Sequence, residues 1–158
     1  MGTRSLTLIK DEYKPQQNII CIYRQYDGYP TGHGLELAQF LNNYRVVNGL
    51  GMDMPKKTAN GMGCLSAQLV GHLKTTGCQE DGTPTFVQGN IYLYPPTTND
   101  VGEEYIYEIY VEDRLTAAGV DNIIIKCIDV YNNNNVIFEG SPQEFIYKYQ
   151  KDEVQINN

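Results

Sequence analysis

Apolar and polar residues repeat with two different periods along this chain. Near the N-terminus the period is two. Over Thr3–Lys10, Arg4, Leu6 and Leu8 share one face and Thr3, Ser5 and Thr7 the other, which predicts a strand. A polar connector over 11–18, with Pro15, leads to a second predicted strand, Ile19–Tyr26. The period then lengthens. Leu37, Phe40 and Leu41 form one stripe of a short predicted helix over Leu35–Asn42. Met62, Leu65, Leu69, His72 and Leu73 form the buried stripe of a longer one over about Gly61–Lys74, with Gly77 as its stop. The stretch 43–60 between them reads as irregular. Later segments are β-like: Ile91–Tyr94, Tyr105–Val111, Ile123–Tyr131 and Val136–Glu139, with Asn132–Asn135 suited to positive-φ turn positions. Ser141-Pro142-Gln143-Glu144 has the form of a capping box and predicts a short helix. A polar tail, 152–158, follows. Together these predict one α+β domain over 1–151, an antiparallel sheet of about six strands with two to three packed helices.

Composition narrows the function. The chain has 158 residues, enough for a self-sufficient core in one domain. No run approaches the roughly 18 apolar residues of a membrane span, and no apolar signal core precedes the first strand, so a cytoplasmic protein is expected. The net charge of −7 argues against a broad grip on a nucleic-acid backbone. Cys21 and Cys127 lie in apolar strands and none of the four cysteines forms a C-x-x-C pair. A zinc site would have to be assembled from Cys64, His72 and Cys78, whose spacing matches no common site, so no metal or cofactor is expected.

Candidate chemistry gathers in Cys21–Leu37, where an apolar strand runs into a glycine-rich turn that opens a helix. If Lys10 pairs near Asn18, Leu8 falls by Ile20, Leu6 by Ile22 and Arg4 by Arg24. Two guanidiniums side by side call for a negative partner. That partner is either internal, Asp27 or Glu36, or an external phosphate or carboxylate held by the arginine forks. In the second reading Gly32, His33 and Gly34 would add backbone donors at a helix N-terminus. Gly61 and Gly63, in Asn60-Gly61-Met62-Gly63-Cys64, would offer another set. Tyr26 and Tyr29 would stack on a base. The expected ligand-binding set is Arg4, Arg24, Tyr26, Asp27, Tyr29, Gly32, His33, Gly34, Gly61 and Gly63, with no catalytic residue. His72, on an apolar stripe, is expected to be a satisfied core histidine.

The Met1-Gly2-Thr3-Arg4-Ser5-Leu6-Thr7 opening, the Tyr23–Pro30 and Gly32–Gly34 blocks, Asn48-Gly49, Asn60–Cys64 and Ile91–Tyr94 resemble a family of small bacteriophage-encoded proteins over the first two-thirds of the chain. The resemblance implies phage origin and a place in the host cytoplasm. It carries no assigned activity and transfers no catalytic residue. The expectation is a non-enzymatic binding protein for a small phosphorylated, nucleotide-like ligand, sequestering a host antiviral signal and working as a homo-oligomer through exposed sheet edges or a shared cleft. The alternatives are a hydrolase using His33 and Asp27, or a protein-interaction module with an acidic, tyrosine-rich surface.

Overall fold

The computed structural model describes residues 2–51, 57–112 and 123–156; Pro55 and the end of the expected tail lie outside them. In chain order, β1 (Ser5–Lys10) and β2 (Asn18–Arg24) lead through one π-helical turn (Pro30–Gly34) into α1 (Leu35–Leu41). Next come β3 (Arg45–Val47), β4 (Thr58–Asn60), α2 (Gly61–Lys74), β5 (Thr75–Cys78), β6 (Pro84–Phe86) and β7 (Ile91–Tyr94). β8 (Tyr105–Val111), β9 (Ile123–Asp129), β10 (Asn135–Gly140) and α3 (Pro142–Ile156) follow. The fold is α+β: a six-stranded sheet in the order β10-β9-β8-β1-β2-β7, two small two-stranded sheets and three helices.

All neighbours in the large sheet are antiparallel except β1 and β8. The parallel pair arises because the 95–104 connection carries the chain from the β7 edge past β2 and β1. Its Val101 packs on Leu6, Cys21 and Tyr23, a small core on that face. The opposite face holds the main core. There Ile9, Ile22, Tyr107, Ile109 and Cys127 meet Leu37 and Leu41 of α1, Met62, Leu65 and Leu69 of α2, and Phe145 of α3. β1 is therefore covered on both sides, and its small polar residues Ser5 and Thr7 are as buried as Leu6 and Ile9.

Several details differ from the sequence reading. Lys10 does pair with Asn18, but a bulge follows: Ile9 pairs with Ile20, Leu8 with Cys21, Leu6 with Tyr23 and Ser5 with Arg24. One extra residue on β2, Ile19, slips the ladder by one and turns every later side chain to the other face. The stretch 43–60 is not wholly irregular, since β3 and β4 form a parallel ladder. α3 is long, not short: 15 residues reaching Ile156, into the expected tail. No described helix is long and apolar enough to cross a membrane.

Candidate functional site

The bulge separates the two arginines. Arg24 shares a face with Ser5, and Arg4, one residue before Ser5, lies on the other. Arg4 stays beside the 95–104 connection, where its guanidinium abuts Gly102. The expected convergence of Arg4 on Arg24 is thus corrected. Arg24 has an internal acid instead: its Nη1 donates to Glu36 Oε2 at 2.6 Å and to His33 Nδ1 at 3.1 Å, and its Nε donates to the Tyr26 carbonyl at 2.7 Å.

These contacts fix the histidine. A guanidinium only donates, so Nδ1 accepts and Nε2 carries the proton. Nε2 then donates to Thr7 Oγ1 at 2.9 Å. His33 is fully buried, edge-on to Tyr107 with ring centroids 5.6 Å apart. Desolvation first, and the Arg24 charge second, lower its pKa from 6.5 to about 3. It is a neutral connector beneath the sheet. Its side chain does not meet the Asp27 carboxylate, which accepts instead from the Tyr29 hydroxyl at 3.2 Å.

The glycine-rich turn spends its donors on itself. Gly32 N–H reaches the Tyr29 carbonyl at 3.0 Å, His33 N–H the Asp27 carbonyl at 2.8 Å, and Gly34 N–H the Tyr29 carbonyl at 3.4 Å. Its glycines are packing requirements. A Cβ on Gly34 would come within 2.7 Å of the Phe145 ring and 3.1 Å of Tyr107. The buried Tyr107 hydroxyl closes the arrangement by donating to the Gly28 carbonyl at 2.7 Å. At the α2 start, Gly61 has φ +82° and a Cβ there would lie 2.6 Å from Glu12 Oε1, so the chain's own carboxylate stands at that helix end. Gly63 faces open space. Tyr26 and Tyr29 are exposed at the turn.

The structure points to a different concavity, between α1 and α2. It has a volume of about 380 Å³ and is lined by Glu36, Gln39, Phe40, Tyr44, Lys57 and His72, within the size range of small-ligand sites. Glu36, Gln39 and Phe40 fall on one stripe of α1 through their i, i+3, i+4 spacing. Three aromatic rings make a continuous stack: Phe40 lies 4.7 Å from His72 at 30° and 4.9 Å from Tyr44 at 33°. His72 is exposed, in this stack and not in the core, which corrects the sequence reading. Burial raises the Tyr44 hydroxyl pKa, with Cys64 a smaller cause, so the phenol stays neutral. Glu36 enters the cleft as a carboxylate already held by Arg24.

Sequence reasoning missed Gln39, Tyr44 and Lys57, and it placed Phe40 and His72 among core residues. The available signal was the polar residues Glu36 and Gln39 flanking Phe40 on a helix whose apolar stripe Leu37 and Leu41 already fill. Among the described residues no three His, Cys, Asp or Glu side chains gather as a metal site. No family model, curated protein or solved structure matches the chain.

Proposed function

We propose that the protein is a non-catalytic binding protein for a small nucleotide-like ligand, seated in the α1–α2 cleft. The observation that carries this reading is the ring stack of His72, Phe40 and Tyr44 beside an anchored carboxylate. A planar base extends such a stack at its exposed ring, His72. Glu36 accepts from the base's amino or imino groups, the Gln39 amide offers both donor and acceptor, and Lys57 at the rim supplies positive charge for a phosphate. Arg24, assigned to the ligand by the sequence reading, here holds Glu36 in place. The reading includes no bond-breaking step. His33 is buried with both ring nitrogens engaged, so the histidine that the hydrolase alternative relies on is closed to a ligand. In the phage setting implied by the resemblance, the ligand would be a host signalling nucleotide kept out of circulation.

Thermal-shift titration with nucleosides, nucleotides and inorganic phosphate tests this. A nucleotide at 100 times its Kd is expected to stabilise by about 2.7 kcal/mol. The exposed His72→Ala variant should fold normally and bind about tenfold more weakly, near the low end of the roughly 1–3 kcal/mol carried by one stacking partner. Recovered ligand should be chemically intact. Equal stabilisation by inorganic phosphate alone, or unchanged affinity in His72→Ala, contradicts the reading.

A further inference from the structure

A second site lies at the opposite end of the sheet order from β10. β7 is the terminal strand, and among the described residues no strand pairs with its outer edge. Natural edge strands are guarded by charge, proline or covering elements. Charge does not guard β7, since residues 82–99 carry no charged side chain in a chain of net charge −7, and its prolines, Pro95 and Pro96, stand after the strand and not within it. This strand and its flanks therefore add no like-charge repulsion between two copies. Its side chains are also apolar and open, with Tyr92 47% and Leu93 57% exposed.

Leu93 pairs with Ile22 and so lies on the helix-covered face. It rims an apolar groove of about 350 Å³ formed with Ile19, Ile20, Ala67 and Val70. On that side α2 presents small residues, Gly63, Ser66 and Ala67. At 100° per residue, His72 lies across the helix from Gly63, so this groove and the ring-lined cleft use opposite sides of α2.

We propose that two copies of this chain associate edge to edge through antiparallel β7–β7 pairing. A two-fold axis normal to the sheet keeps both helix layers on one side. It joins two six-stranded sheets into one, meeting the orphan backbone groups of both edges. Each Leu93 then lies over the seam between the two grooves, and Tyr92 of each copy extends the Tyr23–Tyr94 stack on the far face. The contact is isologous: groove and leucine are supplied by the same surface on each side.

Sedimentation velocity from low to high micromolar concentration, with amide exchange of the full chain, tests the proposal. Wild type should pass from 17.9 kDa towards twice that mass. Amides of Ile91–Tyr94 should exchange more slowly as concentration rises. Leu93→Lys places a charge at the seam; it should stay monomeric with an unchanged circular dichroism spectrum and no concentration-dependent protection. A wild type that is monomeric throughout, a Leu93→Lys variant that dimerises as readily, or protection arising elsewhere overturns the proposal. Should Leu93→Lys fail to fold, exchange in the wild type decides alone. Nucleotide binding by the monomer would leave the cleft reading standing while the edge proposal fell.

Discussion

His33 joins β1 to β2 from beneath the sheet, through Thr7 and Arg24. A histidine between two glycines before a helix looks like a ligand donor. Here it links Thr7 to Arg24 under the sheet, and its folded pKa of about 3 lies below the ordinary 6.5. Above pH 6.5 it is neutral whether the chain is folded or not, and its contribution is fully present. Below that, the unfolded chain takes up a proton that the fold refuses, so stability falls as the pH drops towards 3. The slope from this group approaches about 1.4 kcal/mol per pH unit. Denaturant titrations at descending pH should show it in wild type. His33→Gln, which keeps one donor and one acceptor, should flatten that component; an unchanged slope in the variant contradicts the assignment. Gly34→Ala makes a second test of the turn. Its methyl would press on Phe145 and Tyr107, rings of the main core, and a loss of about 1–3 kcal/mol is expected from overpacking. A variant as stable as wild type would mean that the turn has room to spare.

At the scale of elements, local chemistry was the legible part. Ser141 and Glu144 cap each other reciprocally, with Glu144 N–H to Ser141 Oγ at 3.2 Å and Ser141 N–H to Glu144 Oε1 at 3.3 Å, and α3 starts where they predict. Ser141→Ala should cost about 1 kcal/mol in a denaturation midpoint, and no loss would show the cap to be idle. α2 follows its apolar stripe from Gly61 to Lys74, and Asn133 and Asn134 hold the positive φ expected of the asparagine turn. What the sequence could not show was the single-residue bulge between β1 and β2. Ile19 is as apolar as its neighbours, so nothing in the pattern marks it as the inserted residue. Yet it decides whether Arg24 joins Arg4 or Glu36. β3 and β4 escaped notice for a related reason: three residues each are too short to establish a period.

For the molecule as a whole, the sheet, its two unequal cores and the acidic charge form a frame with two open concavities on opposite sides of α2. Glu36 on Arg24 and Glu12 at the start of α2 remove the geometric basis for an anion held between paired arginines. The same Glu36 then supplies the α1–α2 cleft with an oriented acceptor beside three rings. The most direct test of this account is an NMR titration of the isotope-labelled chain with purine and pyrimidine nucleotides. Saturable shifts are expected to concentrate at Glu36, Gln39, Phe40, Tyr44 and His72, weakened in Glu36→Gln for ligands bearing ring N–H donors. Absence of shifts at millimolar nucleotide, or shifts centred on Arg4, Tyr26 and the Gly32–Gly34 turn, would contradict it.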